Sequence, residues 1–162
     1  MKFWASTATS LVFCVASVSG ATDLSPTNSK AASGVAKESR SKGDVMALKL
    51  KVRIGTKTFT ATLLDNKTVT AFKAMLPLTI EMPDLNDNEK HADLPKSLPT
   101  DSSNPKNIHV GDLMIYGSKT IVLFYKSFPT SYSYTKLGKI DDVSGFVSAV
   151  GTGTVTVTFE AE

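Results

Sequence analysis

The chain has 162 residues, with 18 basic and 15 acidic side chains and a formal net charge of +3. This length allows one domain with a substantial core, and the apolar and charged fractions are ordinary for a globular protein. The charge is too small and too dispersed to provide the strong basic surface that phosphate binding needs, so we expect no nucleic-acid partner.

The first 20 residues have the pattern of a secretory signal peptide. Met1-Lys2 forms a short positive region, Leu11–Val18 forms a short apolar run, and small residues follow at 19–21. The apolar run is too short to span a bilayer. We therefore expect a secreted, extracellular protein that has no membrane segment once residues 1–20 are removed.

Cleavage would remove Cys14, the only cysteine of the chain, so the mature protein would contain no disulfide. Its stability would then depend on the hydrophobic core, which a domain of about a hundred residues can supply. The alternative, a lipid anchor at Cys14, is disfavoured because bulky Phe13 stands where such a site requires a small residue.

Residues 21–44 are rich in Ser, Lys, Ala and Thr, and Leu24 and Val35 are their only sizeable apolar side chains. A segment of this composition cannot bury enough surface to offset the entropy lost on ordering, so we predict a disordered spacer. The remaining residues, 45–162, form the predicted domain.

The predicted domain is rich in β-strands. Apolar and polar residues alternate over 46–54 and 57–64, which is typical of half-buried strands. Two apolar runs separated by Gly117-Ser118-Lys119 predict a central hairpin of buried strands over 111–126. We also predict shorter strands over 78–82, 136–140 and 154–160, and a short helix over 143–150.

A first helix is predicted over 69–76, where apolar residues recur at helical spacing before Pro77 ends the helix. Asp65, Asn66 or Thr68 can cap its N-terminus by accepting a hydrogen bond from a free backbone amide. Asn66 also begins an N-glycosylation sequon, so it is a candidate glycosylation site.

Residues 83–107 contain four prolines and many Asp, Asn and Lys residues, and they are predicted to form a long loop. Such a loop is often functional, so Glu89 and His91 are candidate ligand-binding residues. Glu89, His91 and Asp93 alternate and could share a metal ion. Because an acid-rich loop produces this spacing by chance and three ligands on one segment are not a complete site, we predict no metal and no cofactor.

Four tyrosines are the other candidate ligand-binding residues. Tyr116 and Tyr125 belong to the central hairpin, and Tyr132 and Tyr134 belong to a hydroxyl-rich loop over 127–134. Aromatic side chains with a polar tip are suited to ligand recognition. The alternative for Tyr132 and Tyr134 is that they only cover one end of the domain.

The order of these elements resembles the cyclophilin-like fold, and more specifically a family of small cyclophilin-like domains, over about residues 46–160. This resemblance implies a mainly β protein, a closed β-barrel with two short helices. The motifs that carry it are Leu64-Asp65-Asn66-Lys67-Thr68 leading to Phe72, Leu76-Pro77-Leu78, Glu89-Lys90 with Leu94-Pro95, Gly111-Asp112-Leu113 with Tyr116, Leu123-Phe124-Tyr125-Lys126 and Lys136-Leu137-Gly138-Lys139-Ile140-Asp141.

True cyclophilins are prolyl isomerases, and the resemblance implies an arginine that hydrogen-bonds the prolyl nitrogen. The mature chain has only Arg40 and Arg53, and neither follows the first helix, where that arginine's motif belongs. We therefore predict no catalytic residue and expect a monomeric domain that binds a small ligand or an extended peptide in a groove beside the barrel. The alternatives are a degenerate prolyl isomerase and a secreted interaction protein that acts on another cell.

Overall fold

The computed structural model describes residues 47–162. The signal peptide predicted over residues 1–20 and the spacer predicted over 21–44 lie outside the described residues. Within residues 47–162, no helix is both long enough and apolar enough to cross a membrane.

The described part of the chain contains eleven strands and two short helices. The strands are β1 (Leu48–Ile54), β2 (Lys57–Leu63), β3 (Leu78–Met82), β4 (Asp84–Leu85), β5 (Glu89–Asp93), β6 (Asn107–Ile108), β7 (Asp112–Tyr116), β8 (Thr120–Phe124), β9 (Phe128–Pro129), β10 (Thr135–Ile140) and β11 (Val155–Ala161). The helices are α1 (Lys67–Lys73) and α2 (Phe146–Val150). Asn66 is the residue that caps α1, since its Oδ1 accepts a hydrogen bond from Val69 N at 2.8 Å.

Nine strands form one antiparallel sheet in the order β3-β11-β1-β2-β10-β7-β8-β5-β4, and β6 pairs with β9 in a second, small sheet. The two ends of the large sheet, β3 and β4, are consecutive in the chain and are joined by Pro83. The amide of His91 in β5 donates a hydrogen bond to the Pro83 carbonyl at 3.2 Å. The sheet is therefore a nearly closed barrel, which confirms the predicted fold class.

The barrel encloses the main hydrophobic core, and both helices contribute to it. Phe72 of α1 packs against Phe159 of β11 in an edge-to-face contact with ring centroids 5.7 Å apart. Phe146 of α2 packs in the same way against Phe59 of β2, at 5.4 Å. Such pairs add to the free energy gained from burying their apolar area.

The central hairpin, β7 and β8, is buried on both faces. Leu113 and Leu123 belong to the main core, whereas Met114 and Val122 belong to a second cluster on the outside of the barrel. This outer cluster consists of Ile108, Met114, Val122, Phe124 and Tyr134, with Phe128 packed against it. Both strands are therefore largely apolar in sequence, because their side chains are buried on both faces and the first exposed residue of β7 is Tyr116.

The prediction of one long loop over residues 83–107 is wrong in its first part, because β4 and β5 lie within it. β5 pairs with β8 along its whole length, from Glu89 opposite Phe124 to Asp93 opposite Thr120. Its sequence, Glu-Lys-His-Ala-Asp, has no apolar alternation, because polar side chains occupy both of its faces. The smaller loop predicted over 127–134 likewise contains the two residues of β9.

Candidate functional site

A cavity of about 540 Å³ lies over the outer face of β5, β8 and β7. The residues that line it come from these strands, from β4 and the β4–β5 turn, and from β9 and the segment that follows it. They are Leu85, Asn86, Asn88, Glu89, His91, Tyr116, Thr120, Val122, Phe128, Pro129, Thr130, Ser131, Tyr132 and Tyr134. Five of the six predicted ligand-binding residues are therefore brought together in one cavity.

Strand alternation determines which side chains of β5 reach the cavity. Glu89 pairs with Phe124 and His91 pairs with Val122, and both partners point to the outer cluster. The intervening residue, Lys90, pairs with Leu123, which points into the barrel. Because successive side chains of a strand leave opposite faces, Glu89 and His91 face the cavity and Lys90 does not.

Glu89 is the most unusual group of the cavity. Its side chain is only 9% exposed, yet among the described residues no hydrogen bond or ion pair is formed by its carboxyl group. Burial, and to a smaller extent the negative charge of Asp84, raise the pKa of Glu89 to about 7. The carboxyl therefore changes its charge near neutral pH.

Three tyrosines form an aromatic wall beside Glu89. The ring of Tyr116 lies 6.2 Å from that of Tyr132 and 5.7 Å from that of Tyr134, measured between centroids. Tyr134 is 5% exposed, and its pKa is raised by burial and by the nearby charge of Glu89. Tyr116 and Tyr132 are 48% and 61% exposed and lie where the cavity meets solvent.

Asn88 adds a polar group to the cavity wall that the sequence did not indicate. Its side-chain Oδ1 is buried and has no hydrogen-bond partner among the described residues. Its backbone carbonyl accepts a hydrogen bond from Tyr125 N at 3.0 Å, which ties the β4–β5 turn to the end of β8.

A family model described as the cyclophilin-like family matches residues 52–160. The chain belongs to this family. The solution structure of a hypothetical protein from Archaeoglobus fulgidus is similar to the chain, with 19% sequence identity and a TM-score of 0.49, covering 72% of this chain and 95% of that one. A search of curated proteins finds no match. The family predicted from the motifs is thus confirmed.

Tyr125 is the one predicted ligand-binding residue that this cyclophilin-like domain does not bring to the cavity. It follows β8 on the inner face, is 8% exposed and belongs to the main core. Its hydroxyl group donates a hydrogen bond to Asp84 Oδ2 at 2.7 Å. Burial and this contact with Asp84 raise the pKa of Tyr125.

Asp84 is the centre of a partly buried polar network that includes the inner face of β5 in this cyclophilin-like domain. Lys90, which is 0% exposed, donates hydrogen bonds to Asp84 Oδ2 and to the carbonyl of Gly153. Its Nζ also lies 5.3 Å from the centroid of the Tyr125 ring. Burial alone would raise the pKa of Asp84, but the hydrogen bonds from Lys90 and Tyr125 outweigh it and lower that pKa below its usual value.

Asp93, the third residue of the alternating trio considered for a metal ion, does not line the cavity. Its Oδ1 accepts a hydrogen bond from Thr120 Oγ1 at 2.8 Å. Across residues 47–162, no group of three His, Cys, Asp or Glu side chains is arranged to hold a metal ion. That the domain uses no metal or cofactor stays a prediction.

Two other residues singled out in the sequence lie away from the cavity. Asn66 uses both ends of its side-chain amide, because Nδ2, the atom that a glycan would join, donates to the Lys136 carbonyl at 3.1 Å. Its glycosylation stays a prediction. Arg53 is an exposed residue of β1, and its guanidinium group contacts Glu160 at 3.3 Å.

The cavity also includes residues that sequence reasoning missed. Val122 and Thr120 gave no signal of their own, because apolar and β-branched residues are expected in any buried hairpin. Strand alternation did contain a usable signal, since it separates Tyr116, on the face of Met114, from Tyr125, on the face of Leu123.

Proposed function

We propose that this cyclophilin-like domain binds a small organic ligand in the cavity beside the barrel. The volume of about 540 Å³ is that of a typical small-molecule site. This volume favours a small ligand over an extended peptide, of which at most one or two side chains would enter the cavity. Exposed Tyr116 and Tyr132 border the opening, so a ligand can enter without displacement of the barrel.

The observation that carries the proposal is the carboxyl group of Glu89, which forms no hydrogen bond or ion pair among the described residues and lies in the cavity beside aromatic rings. A titratable group perturbed by burial and placed in a cleft is typical of a functional site. A ligand that pairs with Glu89 would supply the partner that the described chain does not.

The test is a fragment screen by ligand-observed NMR on two variants that carry the same substitution. Thr120→Trp places a large side chain at the cavity, whereas Thr156→Trp places it on an exposed position of β11 outside the cavity. We expect fragments that bind the unmodified chain and Thr156→Trp and do not bind Thr120→Trp. The proposal fails if no fragment binds, or if every binder is retained by Thr120→Trp.

We further propose that the protein is secreted, on the basis of the apolar run and small residues within residues 1–20. Expression of the full chain in a secreting host tests this directly. We expect the protein in the medium with an N-terminus near residue 21, as measured by mass spectrometry. Retention of the full-length chain inside the cells would contradict it.

A further inference from the structure

We propose that the ligand of this cavity carries an alkylated ammonium group, held by the carboxylate of Glu89 and the rings of Tyr116, Tyr132 and Tyr134. This inference rests on the proposed function, because it assigns a chemical class to the ligand of the same site. Three features of the cavity support it: its charge, its aromatic wall and the apolar side chains that line it beside Glu89.

The charge of the cavity selects against anions. Glu89 is its one carboxylate, and neither Lys nor Arg occurs among the described residues that line it. The adjacent cation, Lys90, lies on the other face of β5, where it forms an ion pair with Asp84. His91 is the only lining residue that can carry a positive charge. A cationic ligand would therefore provide the counter-ion that the chain does not.

The aromatic wall is suited to the same ligand. A cation close to the face of a tyrosine ring is attracted by the ring quadrupole, and the attraction is strongest where water is excluded. Tyr116 lies at 86° to Tyr132 and at 54° to Tyr134, so the three rings that line the cavity are not parallel. Within this aromatic wall, Tyr134 is buried from water, and Tyr132 is exposed where the cavity meets solvent.

The apolar part of the cavity favours an alkylated ammonium over a primary one. Val122, beside Glu89 on the outer face of the sheet, and Phe128 line the cavity and belong to the outer cluster. Methyl or methylene groups on the nitrogen can pack against these side chains, while the positive charge still faces the carboxylate.

Proton linkage gives the proposal a distinctive signature. The charged or titratable groups near Glu89 are Asp84 from β4, His91 from β5, and Tyr134, Tyr116 and Tyr132 from the aromatic wall. The pKa of Glu89 is about 7, so part of the free protein carries a proton there at neutral pH. A cation favours the ionised form, so its binding releases this proton, and its affinity rises as the pH increases from 6 to 8.

The experiment is calorimetric titration of the full chain with choline and with 3,3-dimethylbutan-1-ol, its neutral isostere in which carbon replaces nitrogen. At pH 8 we expect choline to bind at least tenfold more tightly than its isostere. At pH 6.5 we expect choline binding to release protons, which is measured by titrating in buffers of different ionisation enthalpy. Glu89→Gln should remove the preference, whereas Glu81→Gln, an exposed residue of β3, should retain it.

Variants at Tyr132 keep the test valid if Glu89→Gln does not fold, because this side chain is 61% exposed. Tyr132→Phe keeps the ring and should bind choline within about twofold of the original affinity, whereas Tyr132→Leu should weaken it severalfold. Equal affinity of Tyr132→Phe and Tyr132→Leu, or equal affinity of choline and its isostere, would overturn the cation assignment.

The outcomes also separate this inference from the proposed function. If neutral fragments bind and Thr120→Trp abolishes their binding, but choline does not bind, the small-molecule site stands and the cation assignment is overturned. If neither choline nor any fragment binds, both proposals are overturned.

Discussion

Glu89 and Lys90 are adjacent in β5 and carry opposite charges, yet their side chains leave opposite faces of the sheet and do not pair. Lys90 is inside the barrel with Asp84, whereas Glu89 is in the outer cavity without a partner in the described chain. The two carboxyl groups consequently differ in their ionisation, because the pKa of Asp84 is lowered and that of Glu89 is raised. One strand thus carries an ion pair on its inner face and lines the proposed ligand cavity on its outer face.

Lys90→Met should destabilise the domain strongly. The substitution keeps most of the side-chain volume but leaves Asp84 partly buried without its cation, which typically costs 3–5 kcal/mol. Urea unfolding followed by circular dichroism measures the free energy of unfolding. Lys136→Met, at an exposed position of β10, is the matched control and should change it by less than about 0.5 kcal/mol. Equal stability of both variants would mean that the buried pair is dispensable.

Tyr125→Phe should lower the free energy of unfolding by about 1–3 kcal/mol, because Asp84 loses the hydroxyl donor at 2.7 Å. Tyr132→Phe removes the same hydroxyl group from an exposed ring and should have almost no effect. Chemical denaturation of the two variants side by side makes this comparison. A larger loss for Tyr132→Phe would contradict the placement of Tyr125 in the core.

Glu89 should make the domain less stable as the pH rises. Its pKa in the folded state, about 7, lies above the ordinary value of 4.5, so the folded state holds the proton more tightly. The resulting stabilisation is full below pH 4.5 and is lost as the pH rises through 7. After allowance for solvent screening, we expect a loss of about 2 kcal/mol between pH 5 and 8 relative to Glu89→Gln. The free energy of unfolding of both proteins is measured against pH. If the two curves run parallel, Glu89 does not contribute to the pH dependence of stability.

Asn66→Ala should destabilise the domain by about 1–2 kcal/mol, because α1 loses its N-cap. Asn66→Asp keeps an oxygen that can accept from Val69 N but loses the donor to the Lys136 carbonyl. It should therefore lie between the original protein and Asn66→Ala. Thermal unfolding of the three proteins ranks them, and an Asp variant as unstable as the Ala variant would show that the cap is not the important contact.

We expect no acceleration of Xaa-Pro isomerisation by this domain. Among the described residues, neither Arg nor Lys lines the cavity, and the only described arginine, Arg53, contacts Glu160 at 3.3 Å. No other side chain offers the planar set of hydrogen-bond donors of a guanidinium group, which the isomerase needs to bind the prolyl nitrogen. A protease-coupled assay with a short proline peptide measures the rate, and a rate above that of the buffer would restore the isomerase alternative.

The parts of the fold that follow a simple periodicity could be predicted from the sequence. The alternation in β1 and β2 and the paired apolar runs of β7 and β8 follow from local patterns, as does the presence of a helix before Pro77. The bounds of that helix were predicted less well, because α1 spans Lys67–Lys73 and not 69–76. β5 could not be predicted in this way, because its polar residues face a cavity on one side and a buried ion pair on the other. The aromatic wall of the cavity, and the Tyr125 and Gly153 groups that complete the inner network, are distant from β5 in sequence, so only the folded barrel brings them together.

The sequence predicted which residues belong to the candidate site better than it predicted where their side chains lie. The aromatic and acidic residues were recognisable, but the side on which each lies depends on strand alternation and register. Tyr125 was the exception for this reason, since it lies one position beyond Phe124 and therefore on the opposite face. The role of Asn88 was not predictable, because nothing in a polar turn indicates that one oxygen will be buried.

The burial of the central hairpin on both faces has a consequence for how this domain can change during evolution or in engineering. The inward residues Leu113 and Leu123 maintain the barrel, and the outward residues of the same strands and of β5 shape the cavity. Substitutions at His91, Thr120 or Ser131 alter the cavity lining without touching the main core. The cavity lining can therefore vary while the scaffold stays constant, which makes the outer face a suitable position for a randomised library.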